Sequence, residues 1–142
     1  MSNDQQTSAK STVLFLCQHG GAKSVIAASY FNRLAEQQAL PYVAVAAAAE
    51  EPYAAVPEPV AEFLQRDGFE LRSFNPRHVE AGDVSGAARV VSIDCNLEAV
   101  DAGRASVERW DDVPPASDGV DASASAIRRH VEALAEDLRG RR

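Results

Sequence analysis

One stretch constrains the fold of this chain more than any other. The run Val13-Leu-Phe-Leu-Cys17 passes into Gln18-His-Gly-Gly-Ala-Lys-Ser24. The apolar run does not alternate with polar residues. It therefore reads as a strand buried on both faces, the kind found inside a parallel sheet. Gly20-Gly21 ends it, and from Lys23 a helical pattern takes over. Ala27, Tyr30, Phe31 and Leu34 fall on one stripe of that helix, which Pro41 closes. A strand, a glycine turn and a helix make the first half of a unit that needs a second parallel strand.

The rest of the chain supplies it. Tyr42–Ala48 reads as a second strand, although its alanines favour helix. Pro52, Pro57 and Pro59 mark a loop. Val60, Phe63 and Leu64 mark a short helix ending at Gly68. Asn75-Pro-Arg-His78 is expected to begin a helical turn, and Gly82–Gly86 to form a loop. Arg89–Asp94 reads as a third strand and Ser106–Trp110 as a fourth. The segment 111–119, with two prolines, a glycine and three aspartates, is a loop. Ile127, Val131, Leu134 and Leu138 then follow helical spacing to a basic end. Strands alternating with helices imply an α/β fold, a parallel sheet with helices on both faces. Residues 1–10 are expected to be a disordered tail and 11–142 a single domain.

At 142 residues the chain is long enough to bury about two thirds of its unfolded surface, so neither disulfide nor metal is needed to hold a core. A net charge of −7 argues against nucleic acid or an anionic membrane as partner. It also means that any anion must be attracted locally. No apolar run approaches the ~20 residues of a membrane span, and residues 1–10 show no signal-peptide core. The cytoplasm is therefore the expected compartment. There a stable bridge between Cys17 and Cys95, the two cysteines, is not expected.

The loop from Cys17 to Ser24 carries the chemistry. Cys17 stands at a strand's C-terminal end, where open parallel sheets bind ligands. The glycines allow successive backbone N–H groups of Gln18, His19, Gly20, Gly21 and Ala22 to converge. The helix N-terminus and the Lys23 ammonium add positive charge, so the loop is expected to grip a tetrahedral oxyanion. The same groups favour the thiolate of Cys17, which makes it a nucleophile. Ser24 can cap the helix or hydrogen-bond the sulfur. Each feature alone also has a plain structural reading: a small buried residue, a turn, a solvated helix start. Their joint placement selects the functional one.

The loop resembles that of the low-molecular-weight protein tyrosine phosphatases, a family that includes thiol-dependent arsenate reductases of the same fold. Its hallmark is a strand, then C-x(5)-R-S, then a helix. Cys17 matches the nucleophile and Ser24 the serine, while Lys23 stands where the family has arginine. The resemblance extends over residues 12–138. Ile26-Ala-Ala28 falls at the first helix, Gly68-Phe-Glu-Leu71 on a "G-I-D-L" turn, and Val90–Asp94 with Asn96-Leu97 on a strand followed by "M-D" and "N-L". Trp110 precedes the place of a "D-P" pair that supplies the general acid. The implied fold is a single-domain three-layer sandwich with a four-stranded parallel sheet in the order 2-1-3-4.

The resemblance implies a cysteine-dependent phosphatase acting on a phosphomonoester, with phosphate as product. The alternative is an arsenate reductase drawing on thioredoxin or a small thiol; a weak or inactive anion-binding module is a third reading. No cofactor or metal is implied. Three departures bear on the choice. Lysine is a point charge on a flexible stem, whereas arginine clamps two oxygens with a rigid fork. The asparagine that commonly braces the loop falls at Gly20, for which His19 could compensate. No Asp-Pro pair follows Trp110, so Asp112 is the first choice for general acid, with Asp111 and Asp118 behind it. Cys95, near the end of the third strand, falls close to where an arsenate reductase carries a resolving thiol. No aromatic residue between 111 and 121 would receive a phenol ring.

Overall fold

Val13, Leu14, Phe15 and Leu16 are completely buried. A strand with neighbours on both edges and layers on both faces must be. They form β1 (Ser11–Cys17), the inner strand on which the molecule is built. The computed structural model describes residues 10–71, 74–94 and 107–140. Nearly all of the expected tail therefore lies outside the described residues, as does Cys95. After β1 come α1 (Lys23–Gln37), β2 (Tyr42–Ala48), α2 (Glu58–Arg66), α3 (Ala81–Ser85), β3 (Ala87–Ile93), β4 (Val107–Trp110) and α4 (Val120–Arg139). All strand pairings are parallel, in the order β2-β1-β3-β4. This is the sheet that the resemblance implies.

The period-2 geometry of β1 divides its side chains between two cores. Val13, Phe15 and Cys17 face Val25, Phe31, Ile127 and Val131 of α1 and α4. Phe15 meets the Phe31 ring edge-on at 6.0 Å and lies 5.5 Å from the Trp110 ring. Truncating Phe15 or Phe31 to alanine would cost about 3–5 kcal/mol. Leu14 and Leu16 face the opposite layer, a smaller cluster with Val79, Val84 and Val90. Helices thus cover both faces, but unequally: α3 has only five residues.

The alanines of β2 form a strand against their helical propensity, which is worth under about 1 kcal/mol per residue. Seven residues pair in register with β1, from Ser11↔Tyr42 to Cys17↔Ala48, and Ala44, Ala46, Ala47 and Ala48 are buried. Tertiary pairing decides the matter. At the free edge of β2 the Asn32 carboxamide, reaching from α1, accepts the Ala44 N–H at 2.8 Å and donates to the Ala44 carbonyl at 3.2 Å. One side chain there takes the place of a neighbouring strand.

The segment 75–86 corrects the sequence reading. Residues 75–78 are not helical; His78 bridges to Ala48, with Ala48 N–H donating to the Arg77 carbonyl and Val79 N–H to the Ala48 carbonyl. The helix lies instead at Ala81–Ser85, where a loop was expected. Its cause is a capping box: the Asp83 carboxylate accepts the Glu80 N–H at 2.8 Å. Arg77 grips the same carboxylate with two hydrogen bonds of 2.7 and 2.9 Å. This holds Asp83 below the usual carboxylate range, the Arg77 hydrogen bonds being the main cause.

Candidate functional site

The sheet order places the C-terminal ends of β2 and β3 on either side of Cys17. The loop 18–22 that leaves β1 is therefore flanked twice. On the β2 side three main-chain bonds hold it. Ala49 N–H donates to the Cys17 carbonyl at 2.9 Å, Glu50 N–H to Gln18 at 2.9 Å, and Tyr53 N–H to His19 at 3.0 Å. A peptide's carbonyl and N–H point in opposite directions, so turning these carbonyls outward turns the following amides the other way. Among the described residues, none of the N–H groups of Gln18 to Ala22 finds a backbone acceptor. Orphaned amides before a helix N-terminus are what an anion requires.

Glycine is needed at position 20 and relieves a side-chain contact at position 21. Gly20 has φ +66, and a Cβ there would stand 2.8 Å from the Ala48 nitrogen. A Cβ on Gly21 would stand 2.7 Å from the Tyr53 ring. Asparagine at position 20 would therefore meet backbone. His19 does not stand in for it from inside the loop. Its Nδ1 donates to the Glu51 carbonyl at 2.7 Å and its ring lies 4.7 Å from that of Tyr53, on the outer side. Gln18 likewise donates outward, to Glu50 at 3.3 Å.

Cys17 is buried among apolar neighbours but keeps a polar partner. Its Sγ lies 3.1 Å from Ser24 Oγ and accepts the Ser24 N–H at 3.4 Å. Ser24 is fully buried, so its hydroxyl serves the sulfur rather than solvent. Lys23, the first residue of α1, sends its ammonium to Asp94 Oδ2 at 3.5 Å. Asp94 follows β3 and has φ +50. Cys17 and Ser24 are thus brought together at the end of the loop, with the Lys23 ammonium turned to Asp94.

The acid candidates are not brought to that group. They follow β4, two strands from β1 and so about 10 Å to the side. Asp112, with 74% of its side chain exposed, accepts a 2.7 Å hydrogen bond from His130 Nε2. His130 is stacked on Trp110 at 4.7 Å, and the Trp110 N–H donates to Glu108. The His130 hydrogen bond holds the Asp112 carboxyl below its ordinary range. Asp111 pairs with Arg109 at 3.2 Å, and Asp118 lies in the 3-10 turn Ala116–Asp118. None of the three has a described contact with residues 17–24. Sequence reasoning missed Tyr53, Asp94 and His130. The aromatic character of Tyr53 after the second strand and the match of Asp94 to the "M-D" pair were the available signals, and neither gave a role.

No protein-family model matches the sequence, and no curated protein is significantly similar to it. Solved structures do match. A low-molecular-weight protein tyrosine phosphatase from T. tengcongensis superposes with TM-score 0.79 at 16% identity, covering 90% of this chain and 99% of that one. An arsenate reductase from Archaeoglobus fulgidus gives 0.69 at 27% identity, covering 86% and 97%. A thioredoxin-dependent arsenate reductase from Corynebacterium glutamicum gives 0.80 at 16%, covering 95% of this chain and 65% of that one. No described helix is long and apolar enough to cross a membrane. The sheet order, the strand–loop–helix at Cys17 and these superpositions agree: the chain has the fold of the low-molecular-weight protein tyrosine phosphatases and of the arsenate reductases built on the same plan.

Proposed function

We propose that this chain is a cysteine-dependent phosphatase that hydrolyses a phosphomonoester through phosphocysteine at Cys17. The observation that carries the reading is the set of amides at 18–22 without a backbone acceptor, lying between a buried cysteine and the start of α1. The Cys17 thiolate attacks phosphorus; a P–S bond forms as the ester P–O bond breaks. Loop amides and the Lys23 ammonium hold the equatorial oxygens, where charge is spread. Ser24 donates to the thiolate. The leaving oxygen takes a proton from the Asp112–His130 pair, and the pair then accepts one from the water that cleaves the P–S bond, both steps requiring the 111–118 loop to close over the bound ester. Phosphate departs and the thiolate is restored. The His130 hydrogen bond holds the Asp112 carboxyl below its ordinary range, so Asp112 by itself is a poor acid at neutral pH and the proton it lends is one shared with the imidazole.

A second reading is supported by the 27% identity with one arsenate reductase, while another arsenate reductase matches at 16%, as the phosphatase does. Here the thiolate attacks arsenate and displaces water to give an arseno-cysteine. A second thiol, from Cys95, thioredoxin or a small molecule, then attacks the Cys17 sulfur. A disulfide forms and arsenite leaves with the electron pair. Either chemistry suits the cytoplasm, where thiols stay reduced.

Hydrolysis of a generic aryl phosphate between pH 5 and 7 tests the first reading. Cys17→Ser should abolish it; turnover persisting in that variant would reject Cys17 as nucleophile. Arsenate reduction with thioredoxin, without aryl phosphate hydrolysis, would select the second.

A further inference from the structure

Asp94 has no part in the mechanism above, yet it sits against the loop's one full positive charge. The Lys23 side chain is mostly enclosed, at 15% exposure, so its ammonium is not free to swing into solvent. It is fixed 3.5 Å from Asp94 Oδ2. Asp94 is 48% exposed, and a carboxylate offers about four acceptor positions, of which Lys23 takes one. Among the described residues, Lys23 is the charged group within ion-pair reach of Asp94. From β1 the titratable group of the pocket is Cys17. His19 and Glu50 are engaged across the loop on the β2 side, whereas Asp94 lies on the β3 side.

Two consequences follow for an oxyanion in the loop. First, Asp94 offsets the charge of Lys23, so the amides must hold the ligand with little net positive charge beside them. Second, an oxygen near the ammonium also nears a carboxylate. An unprotonated oxygen there is repelled. An oxygen bearing hydrogen donates it to the carboxylate, a charge-assisted bond. We propose that Asp94 makes the loop selective for oxyanions that carry a proton, admitting hydrogen phosphate, hydrogen arsenate or a singly protonated phosphomonoester and turning away sulfate. The inference rests on residues 17–24 being an oxyanion site, and it deepens that reading by naming the protonation state of the ligand.

Inorganic phosphate and sulfate, titrated separately at pH 8, are the probes. At that pH phosphate is mainly the doubly charged hydrogen phosphate and matches sulfate in charge, so a difference reports the proton. Calorimetry gives affinity, and amide shifts of residues 18–24 locate binding. Wild type should bind phosphate at least about tenfold tighter than sulfate, the lower end of what one hydrogen bond to a charged group supplies. Asp94→Asn and Asp94→Gly should both bring the ratio close to one. Both replacements accept positive φ, so the turn after β3 is kept. Equal affinities in wild type, or a ratio that survives both replacements, would overturn the inference and leave the oxyanion site standing. Absence of shifts at residues 18–24 with either anion would reject the site itself, and this inference with it.

Discussion

The two loops that the proposed chemistry requires are held by different forces. Residues 17–22 are fixed by main chain. Three carbonyls are bonded to the segment after β2, and Gly20 is pressed against Ala48. Residues 111–118 are fixed by side chains at the surface: Asp112 on His130, Asp111 on Arg109. Main-chain bonds specify shape irrespective of pH and salt. Exposed ion pairs contribute little and are screened. The proposed ligand loop is therefore shaped by the fold itself, whereas the position of the proposed proton donor depends on solution conditions.

That contrast can be broken at its strongest point. Cys17 aside, the largest effect is expected from Gly20→Ala. A methyl at φ +66, aimed at the Ala48 backbone, should destabilise the protein by about 2–5 kcal/mol in urea denaturation. A fully stable variant would mean that the loop is looser than its bonds imply. Next comes Asn32→Ala, which leaves the Ala44 N–H and carbonyl without their partner. A loss of about 1–3 kcal/mol is expected by the same measurement, with aryl phosphate kinetics little changed.

Lys23→Arg sharpens the chemical side. A bidentate fork should raise kcat/KM for aryl phosphate about tenfold, with unchanged stability. No gain would mean that lysine suits a ligand other than a phosphomonoester. His130→Gln probes the other loop. Without the imidazole, the Asp112 carboxyl should titrate nearer its ordinary value. Asp112 is held low in the folded chain, so the stability it contributes is present above the unfolded value of 3.8 and lost as pH falls below it. The variant should therefore lose that acid-side dependence, read as denaturation midpoints between pH 2 and 5. The smallest effect is expected from Arg109→Ala. Its exposed pair with Asp111 should be worth under about 0.5 kcal/mol in thermal unfolding.

The same division explains what the sequence revealed. A strand buried on both faces, a glycine pair and an amphipathic helix are local patterns, and β1, the loop and α1 follow from them. The β2 strand was legible from its flanks although alanine pointed elsewhere. Segment 75–86 was misread because a proline beside arginine and histidine drew attention from Glu80 and Asp83, whose three-residue spacing caps α3. The roles of Tyr53, Asp94 and His130 were not legible. Asp94 meets Lys23 across 71 positions and His130 meets Asp112 across 18, and no local periodicity encodes such meetings.

The carboxamide at the border of β2 reaches beyond the single molecule. An open sheet border is a template on which another chain can crystallise its own backbone. Asn32 occupies the hydrogen-bonding slot at Ala44 with a group too short to be extended, and the His78 bridge occupies the one at Ala48. Between them only Ala46 turns its main-chain groups to the free edge, too short a run for a foreign strand to gain a foothold. An alanine-rich β border is thus blunted at two of its outward-facing positions, which is how a sheet edge is kept from templating further strands.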